Sequence, residues 1–401
     1  MSRQNALSFI LPAMLLIMFA FQPESVPGGH EVLVEHFHQY VDEGVLPGTV
    51  IFLEQDGVLS KDVYGYQDVE KKVPIRENSV FRLASMTKPI LATAIMQLVE
   101  QQHIKLDDRV SKYIPEVASM SVYDGTSAGV KQNNAMTIRH LLSHTSGSTS
   151  GLDFSAAGKA AHQYIAQQEI NDLPSLTQAI CGTQLAFQPG KGWAYGYSND
   201  LLAAVLEQVT QQSIEQYLAE NLLRPLEMDQ TRFQVADKNL FTTVYATKTE
   251  GGLEAIETAA TSRYTNGKNF GRGNGGLVST AGDYLNFCRM LLQNGEYKGK
   301  RILKATSIEL MRKNAIPKEY LPFQVAGNKM LGQGYGFGFG VVGEQSPFGT
   351  VGDFYWPGAL YTYFFISPEN SAIGIFMTQL HDRNRMGMIW DFHSLATQAL
   401  N

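Results

Sequence analysis

The sequence predicts an α+β protein: a mainly antiparallel sheet built from both ends of the chain and sandwiched with helices, with a mostly helical region inserted between. Three observations carry this. Strand-period runs flank Asp56-Gly57 near the start, strand-like runs return around Ser367-Pro368-Glu369-Asn370 near the end, and helical periodicity dominates from about Asp107 to Asn266. The boundaries that follow are residues 30–106 and 267–401 for a discontinuous α/β sheet domain and 107–266 for the helical one.

Residues 1–25 stand apart. Arg3 precedes an apolar stretch from Ala6 to Phe21, broken by Pro12 and followed by Gln22-Pro23-Glu24-Ser25, which is the anatomy of a signal peptide or an N-terminal anchor. The stretch is short against the roughly 20 residues of a bilayer span, and no cysteine follows it to carry a lipid. Export to the periplasm or the extracellular space is therefore expected.

Val32, Leu33, Phe37, Tyr40 and Val41 then recur at helical spacing before Gly44. Thr49 to Gln55 and Val58 to Tyr66 form a hairpin around Asp56-Gly57, a dipeptide that tolerates the positive φ angles of a tight turn. Ile90, Leu91, Ala94, Ile95, Leu98 and Val99 make a helix entered at Pro89, and Leu201, Leu202, Val205, Leu206 and Val209 make the clearest apolar stripe of the inserted region. A helix-like run covers Thr280 to Leu292. Strands follow at Tyr335 to Val342, Leu360 to Ile366 and Ile373 to Gln379, with a closing helix expected from Arg383 to Leu400.

With 401 residues, 44% apolar and 17% charged, the chain can bury an enzyme-sized core. The net charge of -6 includes no basic block, so no electrostatic footprint for nucleic acid exists. Cys181 and Cys288 lie outside any C-x-x-C spacing and imply neither a disulfide framework nor a thiolate metal site. His140 and His144, or His36 and His38, lack the third ligand of a zinc site, and no dinucleotide or P-loop fingerprint occurs in a strand-to-helix context. No metal or cofactor is expected.

The chemistry centres on Ser85-Met86-Thr87-Lys88, the one S-x-x-K of the chain, at the start of the Pro89 helix. Three-residue spacing stacks Lys88 beside Ser85. A serine hydroxyl needs a base within hydrogen-bond reach, and a buried lysine with a lowered pKa is one. Chance alone yields about one or two such tetrapeptides in a chain of this length, so partners must support it. Y-x-N occurs at Tyr197, Tyr264 and Tyr284. Tyr284 lies in a packed helix and Tyr264 in a polar loop. Tyr197 follows Pro189-Gly190-Lys191-Gly192-Trp193 and precedes a helix, so context selects Tyr197 as the phenol that relays protons.

Ser85-x-x-Lys88, Tyr197-Ser198-Asn199 and Trp356-Pro357-Gly358, in this order, resemble the three motifs of the serine β-lactamase and DD-peptidase superfamily, most nearly class C β-lactamases and family VIII carboxylesterases. The resemblance spans roughly Gly48 to Gln379. It implies the β-lactamase/DD-peptidase-like fold, acylation of Ser85, a base role shared by Lys88 and Tyr197, and an Asn199 that orients the substrate amide or carbonyl. It also implies a cleft wall from Trp356 and Gly358, and an oxyanion hole from the backbone N–H groups of Ser85 and Ala359.

The third motif departs from β-lactamases, which place a cation and a hydroxyl there for the substrate carboxylate. Trp356 and Pro357 supply neither, and a bulky indole suits an apolar group, so a carboxylesterase acting on small esters is expected. The alternatives are a β-lactamase or a D-amino-acid or DD-peptidase on cell-wall amides, an acyltransferase, or a penicillin-recognising protein without turnover. The expected partner is a small ester or amide, with no stable membrane partner beyond an uncleaved anchor. Gly125-Thr126-Ser127-Ala128-Gly129 matches the G-x-S-x-G elbow but lacks its strand and helix context, so Ser127 is not expected to be a nucleophile.

Overall fold

The computed structural model describes residues 28–382 and 387–400; residues 1–25, expected to be a signal peptide or anchor, lie outside the described residues. Among them, no helix is long and apolar enough to cross a membrane.

Strands β1 (Gly48–Gln55), β2 (Val58–Asp68), β3 (Val73–Pro74), β4 (Gln333–Tyr335), β5 (Gly340–Val342), β6 (Phe354–Pro357), β7 (Tyr363–Ser367) and β8 (Ala372–Met377) form one sheet in the order β4-β5-β6-β7-β8-β1-β2-β3. Its pairings are antiparallel, and β8 meets β1 with Val50 opposite Met377, so the two ends of the chain close the sheet. The hairpin turn has φ of 50° at Asp56 and 78° at Gly57, the geometry its dipeptide predicts. The run from Tyr335 to Val342 is two short strands instead of one, because Gly338 turns the chain at φ 88°.

Alternation along β7 and β8 sends side chains to two helical layers. Phe376 packs on Phe37 of helix α1 (Gly29–Asp42) at 4.7 Å between rings, and Phe365 stacks on His393 of the C-terminal helix (Gly387–Ala399) at 4.1 Å. On the other face Phe364 meets Tyr284 of the helix Ala281–Leu292 at 5.0 Å. Gly374 lies opposite Phe365, whose ring would stand 2.1 Å from any Cβ there.

The segment between the two halves of the sheet carries helices Ala156–Ala166, Leu173–Cys181 and Ser198–Thr210. It also carries a hairpin the periodicity did not disclose, Val244–Thr247 with Leu253–Glu257, which pairs in parallel with Leu380–His381. Its second strand alternates between exposed and half-buried residues, so little apolar pattern marks it. One buried core runs from Leu33 to Ala396 through sheet and helices alike, and includes Leu91 of helix α2 (Thr87–Glu100) and Leu201 of the Ser198–Thr210 helix, α3 below. Helix α2 is buried over nearly its whole length, which explains its continuous apolar run and fixes Ser85 and Lys88 on a rigid element.

Candidate active site

Ser85 sits in a single 3-10 turn, Ala84–Met86, between the short strand Phe81–Arg82 and helix α2. Ala84 adopts φ 45°, a left-handed conformation costing about 1–2 kcal/mol for a residue with a Cβ. Strain of this kind persists where packing on both sides imposes it. Here the strand pairs with Val278–Ser279 while the helix is locked in the core.

One turn on, Lys88 Nζ lies 3.0 Å from Ser85 Oγ and 2.5 Å from the backbone carbonyl of Asn274. Its ammonium group also stands 4.6 Å from the centre of the Tyr195 ring. Lys88 is buried, and desolvation pulls its pKa down to about 7; Asp200 opposes the shift and Arg272 adds to it. At neutral pH a large share of the lysine is therefore an unprotonated amine beside a serine hydroxyl.

The phenol at this site belongs to Tyr195, not Tyr197. Tyr195 lines the same pocket as Ser85, whose hydroxyl acts on the Tyr195 phenol, and that phenol accepts the indole N–H of Trp356 at 3.1 Å. Burial pushes its pKa far above the ordinary phenol value, so it stands as a neutral phenol. Tyr197 does not line the pocket that holds Ser85; it is the N-cap residue of α3, and its hydroxyl feels the charges of Arg272 and Asp200. Gly196 explains the offset. A Cβ there would stand 2.3 Å from the Ser148 carbonyl, so the chain lies flat on the Ser148-Thr149 backbone, and Ser150 Oγ donates to the Tyr195 carbonyl at 3.2 Å.

Asp200 organises the opposite wall. It is fully buried in the first turn of α3, binds Arg272 at 3.1 Å, and accepts the Asn274 N–H at 2.9 Å. The loop Arg272–Asn274 is thereby held with the Asn274 carbonyl on Lys88. Gly273 fits beneath it only because it lacks a Cβ, which would fall 1.9 Å from the Asn199 carbonyl oxygen.

The family model described as Beta-lactamase matches residues 33–397. The chain belongs to the Beta-lactamase family. Protein Rv1367c of Mycobacterium tuberculosis H37Rv is 30% identical over 352 residues, covering 84% of this chain and 87% of that protein. Among solved structures, EstCE1, a hydrolase with promiscuous acyltransferase activity, is 26% identical with a TM-score of 0.79, covering 93% of this chain and 98% of that one. Simvastatin synthase (LovD) from Aspergillus terreus is 21% identical with a TM-score of 0.77 over 94% and 98% of the two chains, a likeness of fold. The chain is thus a member of the serine β-lactamase and DD-peptidase superfamily, a group of serine hydrolases.

Within this Beta-lactamase-family frame three further expected positions shift. Asn199 is turned into the core, with Nδ2 3.1 Å from His144 Nε2, and does not line the Ser85 pocket. The helix start draws residues 198–200 inward, since Ser198, Asn199 and Asp200 are all buried. Trp356 on β6 is 1% exposed and backs Tyr195 instead of presenting its indole to the pocket. Gly358 lies below the pocket, where a Cβ would meet Thr362 Oγ1 at 2.1 Å and the Leu83 carbonyl at 2.6 Å. Ala359 and Ser85 do border the pocket. The turn after Gly358 uses its own N–H on Thr362 and that of Tyr361 on Gly358, leaving the Ala359 amide without a backbone acceptor among the described residues.

The cavity at Ser85 measures about 350 Å³, the scale of a small-molecule site. Residues that no motif pointed to also line it, among them Arg82, Leu152, Arg263, Arg272, Asn274 and Leu360. Behind Tyr195, its ring and those of His144, Trp356 and Tyr335 pack at 4.8 to 5.5 Å between neighbours and fix the phenol in place. Ser127, in the G-x-S-x-G match, is exposed on the loop between the short strands Ser121–Val122 and Val130–Lys131, and does not line the pocket.

Proposed function

We propose that the protein is a carboxylesterase acting on small esters through an acyl-enzyme on Ser85. The observation that carries this is the 3.0 Å contact between Ser85 Oγ and a lysine amine whose pKa burial brings to about 7. Neutral Lys88 has two N–H bonds and one lone pair. It donates to the Asn274 carbonyl and accepts the Ser85 proton as Oγ attacks the ester carbonyl. The Ser85 and Ala359 amides receive the charge that develops on the carbonyl oxygen. As the bond to the alkoxide breaks, the Tyr195 phenol protonates it and is re-protonated from the Lys88 ammonium. Water then attacks the acyl-enzyme by the reverse sequence. Tyr195 acts as proton donor because burial disfavours its phenolate, so the base role falls to Lys88.

Ester over lactam or peptide is supported by the absence of a hydroxyl in Trp356-Pro357-Gly358 and by the likeness to EstCE1. The EstCE1 likeness also favours a second reading, transfer of the acyl group to an alcohol in place of water. A substrate panel tests both. Wild type should hydrolyse p-nitrophenyl acetate and butyrate, with Ser85→Ala inactive, and should form a butyrate ester from an added alcohol if transfer competes. Faster turnover of nitrocefin or of D-Ala-D-Ala peptides than of either ester would reject the esterase assignment.

A further inference from the structure

The pocket at Ser85 is lined by three arginines besides Lys88: Arg82, Arg263 and Arg272. Two of them are matched in charge. Arg82 Nε donates to Glu257 at 2.8 Å, and Glu257 also accepts from Ser262 Oγ; Arg272 is paired with Asp200 at 3.1 Å. Arg263 has no carboxylate within ion-pair distance among the described residues, and its guanidinium lies beside Tyr264, 5.2 Å from the ring centre and 3.4 Å from the hydroxyl. Taking Glu257 and Asp200 against the arginines, the pocket is positive whether or not Lys88 is protonated.

A second observation points the same way. Arg82 is 2% exposed, yet its Nη2 has no hydrogen-bond partner among the described residues. Its Nη1 is taken up by the Thr242 carbonyl at 2.7 Å and its plane by the ring of Phe241 at 3.8 Å. A buried guanidinium N–H without an acceptor is unfavourable, and a ligand oxygen is the kind of group that meets it. Leu152, Ala359 and Leu360 give the same small cavity an apolar side suited to a short carbon chain.

We propose that the substrate carries a carboxylate bound by Arg263, with the Arg82 guanidinium adding positive charge behind it, so that the ester cleaved at Ser85 is a short monoester of a dicarboxylic acid. The cation that Trp356-Pro357-Gly358 does not supply comes instead from the loop after Glu257 and from the strand before Ser85. Guanidinium pairs carboxylate in bidentate geometry, which orients as well as attracts it. This inference rests on the Ser85 hydrolase reading.

The test compares mono-p-nitrophenyl glutarate with p-nitrophenyl pentanoate, which differ by the terminal carboxylate. Wild type should favour the glutarate ester in kcat/KM by about tenfold or more, and rising salt should erode the preference. Arg263→Gln should bring the ratio near one, and Arg263→Glu should invert it; the site of change is exposed, and melting curves check the fold. Calorimetry of Ser85→Ala with monomethyl glutarate and methyl pentanoate supplies a readout free of turnover. Charge-selective binding with no hydrolysis would leave the carboxylate site standing and remove the hydrolase reading. Hydrolysis of the neutral ester with no charge preference in either assay would do the reverse, and absence of both binding and hydrolysis would overturn both.

Discussion

Trp356 donates its indole N–H to the hydroxyl of Tyr195 across 3.1 Å, so the residue whose type departs most from the third motif of β-lactamases stands behind the phenol proposed as proton donor. Trp356→Phe keeps an aromatic in the cluster and removes that donor. A hydrogen bond of this kind contributes about 1 kcal/mol, so kcat should fall roughly five- to tenfold with KM little changed. Tyr195→Phe should cost about 10²- to 10⁴-fold, the range of general acid-base loss. Tyr197→Phe should stay within about threefold of wild type.

The rate of acylation should titrate with Lys88. Because the amine form accepts the serine proton, kcat/KM should rise with pH through a midpoint at about 7 and level off above it. The same shift has a stability consequence. Between about 7 and 10.5 the unfolded chain holds a proton on Lys88 that the folded protein does not, so wild-type stability gains from rising pH in that window and loses as pH falls through it. Lys88→Met should abolish activity and remove this slope from urea melts recorded across the window.

Asp200 raises the Lys88 pKa and anchors Arg272, so Asp200→Asn should act in two measurable ways. The acid limb of the pH profile should move to lower pH. Stability should drop by roughly 2–4 kcal/mol as the buried end of the ion pair is lost, near the lower part of the range for buried pairs because Arg272 is partly solvated. An unmoved limb would show that Asp200 does not act on the lysine.

Gly273→Ala places a methyl group where the Asn199 carbonyl stands 1.9 Å away, and neither backbone can yield without displacing the other. Overpacking of this size costs about 1–3 kcal/mol. Since the adjacent Asn274 carbonyl holds Lys88, kcat/KM should fall more than tenfold in protein that remains folded by circular dichroism.

The hairpin at Asp56-Gly57, the sheet shared by both ends of the chain, and the placing of Ser85 and Lys88 on one helix face were legible because local pattern dictates each of them. Turn chemistry sets the first, alternation in β1, β7 and β8 the second, and three-residue helical spacing the third. The choice between Tyr195 and Tyr197 was not, because both lie in Trp193-Ala194-Tyr195-Gly196-Tyr197 and the Y-x-N match favours the later one. What decides it is the close approach of Gly196 to the Ser148 backbone, a contact between segments distant in sequence. The one local sign was that glycine itself. Asp200 and Arg263 were equally hidden: each is an ordinary charged residue until the fold puts one under the Lys88 loop and the other in the pocket that holds the serine.

The most direct test is to locate the acyl group. Wild-type protein incubated with a fluorophosphonate, digested and mapped by mass spectrometry, should carry a single adduct on Ser85. Ser85→Ala should carry none, Lys88→Met should label far more slowly, and Tyr197→Phe should label as wild type does. An adduct on any other serine, or labelling of Ser85→Ala at the wild-type rate, would contradict the account.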